Sequence, residues 1–105
     1  MDKTWYLYMV RCADDSLYTG VALDVGRRFA QHCSQKTPCA RYLRGKAPLS
    51  LVYVMVAGNH SEALRLELRV KRLGRPAKER LIRGNYPLGQ LFATAADEKV
   101  EKIND

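Results

Sequence analysis

The spacing of apolar and polar positions changes several times along this chain, and each change marks an element. Residues 5–12, Trp-Tyr-Leu-Tyr-Met-Val-Arg-Cys, are rich in aromatic and β-branched side chains and read as a strand. Ala13-Asp14-Asp15-Ser16 supplies a polar turn, and residues 17–22 return as a second strand, so the two form a hairpin. Side chains alternate across a strand. With an odd number of loop residues Tyr8, Tyr18 and Gly20 share one face; with a two-residue loop Tyr8 and Tyr18 have opposite parity. Asp24 is a good N-cap for a helix running to about Cys33. At about 100° per residue, Phe29 falls close to Val25 on one side and Arg28 and His32 on the other, while Arg27 points nearly opposite. Arg28 is therefore expected to turn toward the sheet with His32, and Arg27 to be solvated.

Residues 34–48 are a polar, basic connection holding Pro38, Gly45 and Pro48 together with Lys36, Arg41, Arg44 and Lys46. The apolar run at 49–57 reads as a buried central strand. Asn59 and Glu62 have the spacing of a capping box, which opens a helix over 61–73. Ala63, Leu66, Val70 and Leu73 form one apolar stripe of that helix, and Leu64 and Leu68 a second. Glu67 and Lys71 fall between the stripes, with Arg65, Arg69 and Arg72 on the other side. A glutamate so placed costs free energy unless it is paired or binds a cation. An i,i+4 pair with Lys71 is one solution and does not exclude metal binding. Pro76 starts a last helix to about Arg83, ended by Gly84, Asn85 and Pro87. Residues 88–93 are expected to pack locally. The whole reads as one α/β domain over 1–94, a small three-stranded, mainly antiparallel sheet flanked by helices, with a flexible tail over 95–105.

A chain of 105 residues with 47% hydrophobic content can fill a modest core without disulfides. The three cysteines, Cys12, Cys33 and Cys39, have no C-x-x-C spacing and read as small thiols rather than as a zinc ribbon with His32. No apolar run reaches the roughly 20 residues of a membrane span, and the first residues lack a signal-peptide pattern, so a cytoplasmic protein without a membrane partner is expected. The net charge is +7, and residues 95–105 carry four acids against two lysines, so the rest holds +9. Such a charge favours nucleic acid, although it is equally compatible with a merely basic surface.

The chemistry-bearing residues separate those readings. The triplets Tyr6-Leu7-Tyr8 and Tyr18-Thr19-Gly20, the helix with Arg28 and His32, and the later helix with Glu67 follow one another in an order that resembles the GIY-YIG nuclease superfamily over about residues 4–83. The first triplet departs from Gly-Ile-Tyr at two positions; the second is close to Tyr-Ile-Gly. The compact form resembles the small stand-alone bacterial, YhbQ-like subgroup. Asn85 is the nearest counterpart to an asparagine that many members carry after the glutamate.

The resemblance implies a metal-dependent endonuclease that hydrolyses phosphodiester bonds in DNA, with structured or single-stranded DNA of repair or recombination as its substrate class. It implies Tyr8, Tyr18, Arg28, His32 and Glu67 as catalytic residues. One Mg²⁺ or Mn²⁺ would sit on Glu67, since hard cations prefer oxygen ligands. Arg28 would bind a phosphate oxygen, Tyr8 would orient or deprotonate water, Tyr18 would position water or phosphate, and His32 would assist proton transfer or water binding. Gly20 would let backbone and substrate approach closely. Lys36, Arg41, Arg44, Lys46, Arg69, Lys71 and Arg72 would bind the nucleic-acid backbone, DNA in preference to RNA, while a partner protein could supply specificity. Trp5 and Tyr53 read as core. The alternatives are a non-catalytic nucleic-acid-binding module on the same scaffold and a basic ribonucleoprotein component, which leaves the placement of Glu67 unexplained.

Overall fold

The computed structural model describes residues 3–84. Its order is β1 (Trp5–Arg11), β2 (Leu17–Ala22), α1 (Val25–Ser34), a 3-10 turn (Arg41–Leu43), β3 (Ser50–Gly58), α2 (His60–Lys71) and α3 (Arg75–Gly84). The chain divides into two compact units, Met1–Lys71 and Arg72–Asp105, and the sheet with α1 and α2 belongs to the first. The expected boundary near residue 94, the tail at 95–105, the packing at 88–93 and Asn85 lie outside the described residues.

The hairpin pairs Arg11 with Leu17, leaving residues 12–16 as an odd-numbered loop. Asp14 organises that loop, its Oδ1 accepting from the Ser16 N–H at 3.0 Å and the Ser16 hydroxyl at 2.6 Å. Tyr8 then stands opposite Gly20, and Val10 opposite Tyr18, so the two tyrosines and the glycine share a face.

All pairings are antiparallel, but the strand order is β2-β1-β3. The expectation that 49–57 is the central strand is therefore corrected: β3 is an edge strand. Its apolar run alternates, with Tyr53 and Ala57 buried while Val54 and Val56 remain exposed. The centre belongs to β1, where Leu7, Tyr8, Met9 and Val10 are consecutive and all buried, as only a strand covered on both faces requires.

On the Tyr8 face, Tyr8, Val10, Cys12, Ala22, Cys39 and Leu43 form the core, with Val25 and Phe29 of α1 packed against it. Asp24 caps α1, its Oδ1 accepting from the Arg27 N–H at 3.0 Å. The expected capping box of α2 is present: Asn59 Oδ1 accepts from the Glu62 N–H at 2.8 Å, and Glu62 Oε1 from the Asn59 N–H at 2.9 Å. α2 packs across all three strands and buries Ala63 and Val70, while its second apolar stripe, Leu64 and Leu68, is exposed.

Candidate active site

The site begins with a glycine that makes room for a tyrosine. A Cβ at Gly20 would lie 2.7 Å from Tyr8 Oη and 2.8 Å from its Cζ. The Tyr8 ring crosses the hairpin on to β2, and only a residue without a side chain lets it lie there. Gly20 is buried, and the side chain that would collide with a Cβ there is the Tyr8 phenol. Gly20→Ala should therefore cost about 1–3 kcal/mol by forcing the ring aside. Urea unfolding measures this, and a variant as stable as the parent would show that the ring can move freely.

Tyr8 is only 1% exposed, and its Oη lies 2.8 Å from Nε2 of His32, which is fully buried. The other imidazole nitrogen, Nδ1, accepts from the Ala40 N–H at 3.3 Å. A neutral imidazole with Nδ1 accepting carries its proton on Nε2, so Nε2–H donates to the phenol oxygen. Burial, reinforced by the nearby Arg28 charge, pushes the His32 pKa down from 6.5 to about 4. The imidazole is thus held neutral with both nitrogens engaged, which makes it a positioning group for Tyr8.

Arg28 Nη1 donates to Gln31 Oε1 at 3.0 Å and to the Pro38 carbonyl at 2.9 Å. Its charge also reaches Tyr8. Burial raises that phenol well above its ordinary value of 10, Tyr18 adds to the rise, Arg28 opposes it by charge and hydrogen bonding, and the Glu67 carboxylate adds a further upward push. The Arg28 and Glu67 charges thus act on the same hydroxyl with opposite sign. Phenolate is strongly disfavoured at Tyr8 as the site stands.

Tyr18 is half-buried, edge-on to His32 with ring centroids 5.6 Å apart and stacked on Tyr42 at 5.9 Å. Tyr42, 47% exposed, has Lys46 Nζ 3.5 Å from its ring centroid. The sequence reading missed Tyr42; the available signal was an aromatic residue inside the basic Arg41–Lys46 stretch. Lys46 also pairs with Asp14 at 3.7 Å.

Glu67 is 19% exposed and pairs with Lys71 Nζ at 3.2 Å. Among the other expected backbone contacts, Lys36, Arg41, Arg69 and Arg72 are exposed, and Arg44 donates to Thr37 Oγ1 at 3.0 Å. Arg27 is exposed as expected, yet it lines the same cleft as Arg28, which corrects the view that the two arginines serve opposite surfaces. Trp5 is only half-buried and stacks on His60 with centroids 4.3 Å apart, whereas Tyr53 is in the core.

A hairpin bearing two phenols, an arginine and imidazole from the next helix, and a carboxylate from α2 agree with what comparison finds: the GIY-YIG catalytic domain matches residues 4–80. The chain belongs to the GIY-YIG family of nucleases. Within that family it is similar to the UPF0213 proteins. A UPF0213 protein of Cronobacter sakazakii is 52% identical over 82 residues, covering 78% of this chain and 84% of its own. The UPF0213 protein YhbQ of Escherichia coli is 43% identical over 97 residues, 92% of this chain and 95% of its own. The solution NMR structure of a UPF0213 protein from Bacillus halodurans is 42% identical, covers 75% of this chain and 82% of its own, and has a TM-score of 0.48. Among the described residues no helix is long and apolar enough to cross a membrane.

Proposed function

We propose that this chain is a divalent-metal-dependent endonuclease that hydrolyses DNA phosphodiester bonds. What supports the reading is the buried Tyr8–His32 pair, hydrogen-bonded at 2.8 Å, with the Arg28 and Glu67 charges both acting on that phenol, in a chain of the GIY-YIG family.

The donor set fits a metal that keeps most of its water. Among the described residues no three His, Cys, Asp or Glu side chains cluster. One half-buried carboxylate is nevertheless what Mg²⁺ or Mn²⁺ uses when substrate phosphate provides further oxygens. Glu67 would hold the ion, and Lys71, half-exposed and weakly held, can release it. The ion would supply Lewis-acid stabilisation of charge on the phosphate and the leaving oxygen.

Arg28 binds a non-bridging phosphate oxygen; Gln31 and the Pro38 carbonyl fix its guanidinium, so little reorganisation is needed as charge builds up. Tyr8, with His32 donating to its oxygen, keeps its own hydrogen for a water or phosphate oxygen and acts as a donor rather than a base. Tyr18, the more accessible phenol, orients the attacking water, backed by Tyr42. The exposed Lys36, Arg41 and Arg69 steer the phosphate backbone.

The test is cleavage of labelled single-stranded, duplex and branched DNA and of RNA, with Mg²⁺, Mn²⁺ or EDTA. DNA is expected to be cut only with metal, and binding to weaken steeply with salt, log K falling linearly with log salt. Salt-sensitive binding without cleavage in either metal would make the chain a binding module instead.

A further inference from the structure

We propose that the cleft between the start of β1 and the N-terminal half of α1 is a nucleobase subsite, taking one unpaired base beside the phosphate held by Arg28. This assignment rests on the nuclease reading and specifies what that site must hold besides phosphate.

The cleft is shallow and open to solvent, with a volume of about 350 Å³, within the roughly 300–1,000 Å³ typical of small-ligand sites. Trp5, Val21 and Leu23 give it an apolar wall, and Asp24, Arg27 and Gln31 give it a polar edge. Leu23 is 39% exposed, a large apolar side chain left open beside two arginines.

The polar edge has unused capacity. Asp24 spends Oδ1 on the α1 cap, so Oδ2 can accept. Gln31 spends Oε1 on Arg28, so its amide can donate. The Arg27 guanidinium has no protein partner among the described residues. An apolar wall with a donor, an acceptor and a cation along one side suits a flat ring with a heteroatom edge, joined to phosphate. That is a nucleobase within a nucleotide chain.

Continuity with the reaction centre comes from Arg28, which lines this cleft and also faces Tyr8. A base can lay its face on Leu23 and Trp5 only when it is out of the helical stack. The open cleft has room for about one base, so the proposed recognition is of one position.

Trp5 is the chain's single tryptophan and lines the cleft, so its fluorescence reports occupancy directly. The experiment uses full-length Glu67→Gln protein without metal and a set of short single-stranded oligonucleotides, identical except for one abasic position moved along the strand. Normal strands should quench Trp5 saturably. One abasic position should abolish the quenching and weaken binding about tenfold, in line with the loss of one stacked base. Leu23→Ala, at an exposed position, should shrink that tenfold difference while leaving affinity for the abasic strand unchanged, and Arg27→Gln should shrink it while weakening both strands through the lost positive charge.

Equal quenching and equal affinity at every abasic position would overturn the subsite, as would a difference that both variants leave intact. A nucleoside monophosphate that quenches as tightly as the oligonucleotide would overturn it too, by making the cleft a free-nucleotide site. These readouts involve no cleavage, so the subsite can fail while wild-type protein still cuts DNA, and a failure of the nuclease reading appears separately in the cleavage assay.

Discussion

Glu67→Gln should reduce DNA cleavage in Mg²⁺ by about 10²–10³-fold or more, the scale of losing one group that stabilises transition-state charge. The substitution keeps size and shape and removes only the negative charge. Nucleic-acid affinity without metal should stay the same or rise slightly, because a negative charge close to phosphate has gone. Metal and DNA should bind wild type cooperatively, since one carboxylate holds Mg²⁺ weakly until phosphate oxygens join it, and the variant should lose that coupling. Lys71→Gln is the control. Its partner lies at 3.2 Å, but the lysine is 51% exposed, and such surface pairs contribute about 0–1 kcal/mol. If Lys71→Gln folds and cuts normally while Glu67→Gln does not, the carboxylate acts on the reaction and not on helix stability. A Glu67→Gln protein that cuts as fast as wild type in Mg²⁺ would falsify the proposed site.

The second large effect is acid instability centred on His32. The folded protein holds this imidazole neutral, with a pKa of about 4 against 6.5 ordinarily. An unfolded chain therefore takes up a proton near pH 6.5 that the folded chain refuses until about pH 4. Stability is complete above the upper value, falls as pH drops through this window, and the loss is fully developed below the lower one. Integrated over the window, the linkage amounts to about 3 kcal/mol. Urea unfolding at intervals from pH 7 to 4.5 should show the decline, and His32→Gln should flatten it. NMR titration should find one of the two histidines, His32, without a charge change above about pH 5. A His32 imidazole titrating near 6.5 would mean that its Nδ1 is open to solvent and not held by Ala40.

Much of the architecture was legible in the residues themselves. Asp24 and the Asn59/Glu62 pair announce helix starts because capping uses local side-chain geometry, and both caps form. The spacing of the two tyrosine triplets brings Tyr8, Tyr18 and Gly20 to one face as soon as the loop has odd length, and residues 12–16 satisfy that condition. The order of chemistry-bearing residues pointed to the family, because each lies at a distance along the chain that its helix or strand turns into direction.

What local pattern could not determine was the order of strands and the duties of buried groups. The apolar runs of β1 and β3 look alike in composition, and only the packing decides that β1 is covered on both faces while β3 leaves Val54 and Val56 open. Helical angles placed Arg27 away from Arg28, yet one cleft receives both, because its wall is built by Trp5 and the end of β2. The partners that hold His32 were hidden for a similar reason. The Ala40 N–H that engages Nδ1 comes from eight residues away, through a connection whose path is not periodic. Gly20 is likewise explained by a ring twelve residues earlier in the chain, brought on to it by the hairpin. Periodicity in sequence can tell which way a side chain points from its own element; which atoms it meets there depends on distant segments, and these meet only in the folded chain.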